Sequence, residues 1–377
     1  MIGDLVGDFV WHVAEEVFIA IVTPDKEKRA AKKAGAKKAG KIIKNGGIVA
    51  FPTETVYGLG ADAFNSEAVS RIYMAKGRPN DNPLILHIAN EKKFYELAHD
   101  PPNYAKKLIK AYWPGPLTLV VKKKPELPLW LGSHPQNQTD TIGIRMPKNS
   151  IARAIIEYSK SVVAAPSANR AGKPSPTAAK HIDFADNEID MIVDGGATNV
   201  GLESTVVDVT GDTPLILRPG AITAKMIYET TGIEPINSGQ TTDSPRSPGT
   251  KYRHYAPNAP MTIISGDNET VADHMIKESL QKIAEGKKIG LLVTNSTREF
   301  ITKHPLYAGM SGKNVKAITF GDELEIIAQK LFASLRQFDK LEVSEIYAEA
   351  VPNIDLGEAI MNRMHKAAEG RVVVVKA

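Results

Sequence analysis

Residues 234–260, EPINSGQTTDSPRSPGTKYRHYAPNAP, are dominated by Pro, Ser, Thr, Asn and Gly and show no apolar periodicity. A stretch of this kind builds neither a helix face nor a strand, and it reads as a linker. It separates two segments in which strands and helices alternate, so the chain must fold as two units. Length agrees, because 377 residues exceed what one hydrophobic core ordinarily organises. Within the linker, KYRHYAP is too aromatic and too basic for a plain spacer.

The expected organisation has four parts. Residues 1–23 form an N-terminal extension of unassigned role. Residues 24–233 form the first α/β unit, 234–260 the linker and lid, and 261–377 a smaller α/β unit. The extension is apolar, but Asp4, Asp8, His12, Glu15 and Glu16 interrupt it. It has no basic head and no uninterrupted apolar run of about 18 residues, so neither a signal nor a membrane anchor is expected.

In the first unit, residues 24–45 carry eight lysines and one arginine and end on Asn45-Gly46-Gly47, which predicts a helix. Its lysines read as a solvated face, with an RNA-facing helix as the alternative. GIVAF, PLILHI, GPLTLVVK, TIGIRMP, SVVAAPS, IDMIVDGG, STVVDVT and TPLILRP read as strands. NSEAVSRIYMAKG reads as a helix capped by Asn65 or Ser66. Some strands follow one another directly, which predicts a mixed, twisted sheet rather than a purely parallel one. In the second unit, Leu324, Ile327, Leu331, Leu335 and Phe338 are spaced 3, 4, 4 and 3 apart, one face of a helix. Strands around it predict a small doubly wound, Rossmann-like fold.

No cysteine is present, which excludes disulfides, thiolate nucleophiles and thiolate zinc sites and is compatible with a cytoplasmic address. A net charge of +4 permits an anionic ligand such as ATP or RNA without demanding one. There is no G-x-S-x-G, H-E-x-x-H or G-x-x-x-x-G-K-[ST] pattern, so a nucleotide site here would have to be built from side chains.

Polar residues gather where strands are expected to end. Thr53, Glu54 and Thr55 follow GIVAF; Lys76 and Arg78 leave a helix; His87 and Arg145 sit in strands. Ser167, Asn169 and Ser175 follow SVVAAP, Ser204 and Thr205 open STVVDV, and Arg218 closes TPLILRP. Ligands collect beyond strand ends in open α/β sheets, and several cations in one hollow suit a polyphosphate or a carboxylate. Taken singly, each residue has an ordinary structural reading as a cap, a core histidine or an edge charge. Only the joint pattern points to a site.

PTETVYGLG, K-G-R-P-x-x-x-P-L, SAN and GLEST-VVD together resemble the YrdC-like family. With SPGTKYRHYAP and a second α/β unit, the resemblance is to its two-domain L-threonylcarbamoyladenylate synthases, over roughly residues 25–377. The resemblance implies formation of threonylcarbamoyl-AMP and pyrophosphate from L-threonine, bicarbonate or CO2, and ATP, with Mg2+. The product would feed an enzyme complex that modifies tRNA beside the anticodon. By similarity, Thr55, His87, Arg145, Ala165 and Ser204 would hold threonine. Lys76, Arg78, Asn82, Thr141, Ser167, Asn169, Ser175 and Arg218 would hold ATP, with Lys76, Arg78, Ser167 and Asn169 at the catalytic centre. Tyr255, with Tyr252 as the alternative, would close over the nucleotide. Two rival readings are a double-stranded RNA or tRNA binding module and a carbamoyl-adenylate-forming domain. The latter accompanies cysteine zinc fingers, which this chain lacks.

Overall fold

The computed structural model describes residues 18–20, 26–237, 254–310 and 314–376. Tyr252, most of the N-terminal extension and most of the linker lie outside the described residues. Within the extension, Phe18–Ala20 pairs in parallel with Met191–Val193.

The described residues build two sheets. The first has eleven strands and mixed pairing. Its order is Phe18–Ala20, Met191–Val193, Val49–Phe51, Gly58–Asp62, Val163–Ala164, Ile85–His87, Thr141–Arg145, Leu117–Lys122, Thr205–Asp208, Leu215–Arg218 and Ile236–Asn237. The second has five strands, all parallel, in the order Val315–Thr319, Ile289–Val293, Glu345–Glu349, Met261–Ser265 and Val372–Val374. Mixed and doubly wound sheets are the two architectures expected from the alternation of elements.

Local sequence signals fix most helices. Asn65 caps Ser66–Lys76 by accepting from the Ala68 N–H at 3.0 Å, and Gly77 ends it in the left-handed region at φ 60°, which glycine adopts without a Cβ penalty. The basic helix, Lys26–Lys44, buries Ala36, Ala39 and Ile43 against Ile151, Ala152 and Ile155 of Ser150–Ser159. Its Lys33, Lys37, Lys38, Lys41 and Lys44 are exposed. Leu324–Leu341 buries Ile327, Leu331, Leu335 and Phe338 on one face.

The two units dock through surfaces that include residues of the first unit's PTETVYGLG and GLEST motifs. Val56, Leu202 and Tyr255 share an apolar cluster with Leu331, Phe332 and Ile360. Gly201 lies against the helix Leu324–Leu341, where a Cβ would stand 2.3 Å from the Gln329 Cα, and its φ is +79°. Only glycine allows that approach. Gln329 Nε2 donates to the Thr198 carbonyl at 3.1 Å, and Arg336 Nη2 donates to that of Pro174.

Candidate active site

Register gathers residues that are far apart in sequence. His87 and Arg145 are paired across the parallel strands Ile85–His87 and Thr141–Arg145, and Thr118 faces Arg145 from the other side. Val163–Ala164 runs antiparallel to Ile85–His87, which brings Ala165, Pro166 and Ser167 to the same end. Leu215–Arg218 runs antiparallel to Thr205–Asp208, which sets Arg218 beside Ser204.

A narrow cavity of about 60 Å³ opens there. Of the residues singled out from sequence, Thr55, Arg78, His87, Arg145, Ala165, Ser167, Asn169, Ser175, Ser204, Arg218 and Tyr255 line it. Thr53 lines it too, whereas Glu54, Lys76, Asn82, Thr141 and Thr205 do not. Lys76 is buried behind the wall, and its Nζ donates to the carbonyls of Ser167 and Asn169. It braces the SAN turn from below. Asn82 holds Arg78: its Oδ1 accepts from Arg78 Nη2 at 2.7 Å and its carbonyl from Arg78 Nε at 3.1 Å. Thr141 begins the strand that Arg145 ends, about 13 Å away at strand rise, and its carbonyl accepts from Thr139 Oγ1.

Two carboxylates sit among these cations: Glu54, one of the polar residues expected at a strand end, and Glu203, to which the sequence reading gives no role. Glu54 Oε1 accepts from Arg145 Nη2 at 2.6 Å, and its other oxygen accepts from the N–H of Lys148 at 3.0 Å. Arg145 also donates to Thr55 Oγ1 at 2.8 Å and to the Gly115 carbonyl at 3.2 Å. Burial raises the Glu54 carboxyl, but the charge and hydrogen bond of Arg145 outweigh it and hold the group below its ordinary value. Glu203 lines the cavity, and its Oε1 accepts from Ser175 Oγ at 2.5 Å. His254 also lines the wall. Glu203 was visible as the acid of GLEST, and His254 as the imidazole of KYRHYAP. Neither spacing said what it would face.

Electrostatics follow from burial. His87 is pushed down to about 3, first by desolvation and then by Arg145, so its ring is neutral at physiological pH. Desolvation, then Arg78 and Arg336, hold Lys76 well below its ordinary value. Asn169 Oδ1 and His254 Nε2 are buried and have no hydrogen-bond partner among the described residues. Tyr255 adopts φ 65°, a left-handed conformation costing about 1–2 kcal/mol for a residue with a Cβ. Its surroundings impose it: the ring lies 5.2 Å from that of Phe332, and the next residue's N–H donates to the Gly172 carbonyl at 2.9 Å. Strain of this kind concentrates at functional sites.

Fold and cavity define a YrdC-like α/β domain, cationic at its strand ends, with His254 and Tyr255 on the cavity wall and a second α/β domain packed against it. Family models agree. The Sua5/YciO/YrdC model, described as telomere recombination, matches residues 41–220, and the model of the threonylcarbamoyl-AMP synthase C-terminal domain matches residues 222–369. The threonylcarbamoyl-AMP synthase of Bacillus subtilis (strain 168) is 44% identical over 339 residues, 89% of this chain and 93% of that protein. That of Pyrococcus abyssi is 43% identical over 340 residues, 89% and 94% of the two chains. A crystal structure of P. abyssi Sua5 complexed with L-threonine superposes with a TM-score of 0.84 at 38% identity, covering 96% of this chain and 100% of that one. The chain belongs to the threonylcarbamoyl-AMP synthase family, in its two-domain form.

Proposed function

We propose that this protein is a nucleotidyltransferase that makes threonylcarbamoyl-AMP from L-threonine, bicarbonate or CO2, and ATP, in the cytoplasm. The observation that carries the proposal is the shared cavity: Arg78, Arg145 and Arg218 face one hollow with Thr55, Ser167, Asn169, Ser175 and Ser204. The division at 234–260 into a catalytic unit, a lid and a second unit is part of the same reading.

Threonine's amine adds to CO2, forming a C–N bond and releasing a proton. A carbamate oxygen then bonds to the α-phosphorus of ATP as the bond to pyrophosphate breaks. No side-chain nucleophile is needed. Holding two anions in line supplies up to about 7–11 kcal/mol of the barrier, and guanidinium groups stabilise the charge that develops on the phosphates. The threonine half would lie at Thr55, His87, Arg145, Ala165 and Ser204, with the Nδ1–H of a neutral His87 donating to the Ile85 carbonyl at 3.1 Å, which leaves Nε2 as an acceptor. Arg145 would meet the carboxylate while remaining paired with Glu54. The nucleotide half would lie at Arg78, Ser167, Asn169, Ser175 and Arg218. Asn169 Oδ1 would take a donor from the nucleotide. Lys76 and Asn82 would act by holding the SAN turn and Arg78, and Thr141 would bound the outer end.

Ligand pockets commonly hold about 300–1,000 Å³, far more than this cavity. ATP entry would therefore need the cavity to widen and close again around the ligand, which would also shield labile intermediates from water. No group of three or more His, Asp or Glu suited to a metal occurs among the described residues. Glu54 and Glu203 are both committed to protein partners. Mg2+ would thus arrive on the phosphates with its own waters, as it commonly does. The product would pass to the complex that transfers the threonylcarbamoyl group to tRNA, and the exposed lysines of Lys26–Lys44 are available for direct RNA contact. A pyrophosphate-release assay tests the proposal. Release should require both threonine and bicarbonate, and equal release without threonine would refute it.

A further inference from the structure

Arg363 is fully buried, yet it belongs to the second domain and touches the first. It lies on Leu356–Ala367. Its Nε donates to Glu203 Oε2 at 3.1 Å, its Nη2 to the Glu203 carbonyl at 3.4 Å, and its Nη1 to the carbonyl of Pro219. Its guanidinium carbon lies 5.9 Å from the centre of the Tyr255 ring. Pro219 follows Arg218, and Glu203 precedes Ser204, so one fork ties the chain beside Arg218 to the chain beside Ser204. From the cavity side, Arg218 Nε and Nη2 donate to the Ser204 carbonyl at 3.1 and 3.0 Å.

Glu203 is the difficulty that this fork resolves. Its carboxylate borders a hollow read as a triphosphate site, where a free negative charge would repel the ligand. Arg363 takes one oxygen and Ser175 the other. Burial raises the Glu203 carboxyl, while Arg363, Arg218 and Ser175 more than offset it and hold it below its ordinary value. The carboxylate is therefore charged, neutralised and fixed. It in turn orients the Ser175 hydroxyl at the cavity wall.

We propose that Arg363 is a positioning residue for nucleotide binding, by which the second domain holds Glu203, Ser175 and Tyr255 in their binding arrangement. It does not line the cavity and acts through Glu203. The inference rests on the reading of the cavity as a nucleotide site, and it gives the second domain a specific part in the reaction. Removing one partner of a buried charge pair exposes the other as an uncompensated charge, which makes a double substitution diagnostic.

The test is calorimetric titration of the full chain with a non-hydrolysable ATP analogue. Arg363→Met should weaken binding at least tenfold, because Glu203 is released toward the phosphates. Arg363→Lys keeps the charge but loses the fork, and should weaken binding by about three- to tenfold. The double variant Arg363→Met with Glu203→Gln should recover to within threefold of the parent. Threonine affinity should move less than nucleotide affinity in all three. A merely structural role predicts that nucleotide and threonine affinities fall by the same factor in Arg363→Met and recover together in the double variant. Unchanged binding in Arg363→Met, or a double variant as weak as the single one, overturns the inference. If Arg363→Met fails to fold, unchanged binding in Arg363→Lys does the same. A parent chain that binds the analogue but releases no threonine-dependent pyrophosphate overturns the synthase reading and leaves the affinity comparison standing. A parent that does not bind the analogue overturns both.

Discussion

Each of the two sheets has a hollow at its strand ends, and the two hollows differ in size and sign. The first is narrow, about 60 Å³, and carries Arg78, Arg145 and Arg218 on its wall. The second is roomier, about 640 Å³, and has Asp322, Glu349 and His365 as its titratable lining, with no lysine or arginine. Its carboxylates are used locally. Asp322 accepts from the Ser296 N–H at 2.9 Å, and Glu349 accepts from the Thr294 N–H at 2.7 Å, at the start of Asn295–Lys303. There they satisfy orphan donors and oppose the helix dipole. Position beyond strand ends thus does not make a phosphate site. The first hollow is suited to polyphosphate because its cations outnumber the carboxylates that neutralise them, and the second is unsuited because its acids face no cation.

The comparison breaks first at Arg218. Arg218→Met should lower threonine-dependent pyrophosphate release at least about 100-fold, whereas Glu349→Gln should leave it within twofold in the same assay. Comparable losses in both would end the distinction between the hollows. The next effect is on stability. Glu54→Gln leaves Arg145 buried without its counter-charge and should destabilise the protein by about 3 kcal/mol in urea unfolding. A change under about 1 kcal/mol would mean that the pair contributes only what a surface ion pair does.

A third test uses pH, because the two hollows should respond with opposite sign. Glu54 and Glu203 are held below their ordinary value of 4.5. Their contribution is complete above that value and is lost as pH falls through the folded-state values. Burial raises Glu349 above 4.5, against the hydrogen bonds from Thr294 and Thr297. Its contribution is complete below 4.5 and is lost as pH rises through its folded value. Urea midpoints measured from pH 3 to 8 should therefore show a steep acid limb that Glu54→Gln flattens. Glu349→Gln should flatten only the higher limb. The smallest effect is spectroscopic. With His87 pushed down to about 3, its imidazole NMR signals should stay fixed between pH 5 and 8. A midpoint near 6.5 would show that the ring is less buried than described.

Much of the fold was legible because its signals are short-range. Asn65 and Gly77 bracket a helix by capping alone, and the spacing of Ile327, Leu331, Leu335 and Phe338 gives one buried face. The strand Gly58–Asp62 carried no such signal. Its sequence, GLGAD, has no β-branched or aromatic residue, and glycine weakens strand propensity. It forms because Gly60 lets Phe51 and Val163 pack where a Cβ would stand 2.5 Å and 2.7 Å from them. In the site, the cations were evident as residues, but their partners were not. Glu54 read as one of three polar residues after a strand, and nothing in the sequence singled out Arg363.

Sequence alone determined that there are two α/β units, where most of the described elements begin and end, and which side chains could bind anions. Caps, periodicity and turn residues act over a few positions, so they survive without knowledge of the rest of the chain. Tertiary structure decided which cations share a hollow, which are already neutralised, and that Arg363 reaches Glu203 from 160 residues away. Those outcomes depend on strand register and on the docking of two domains. Charge pairing acts through space, and distance along the chain carries no information about it.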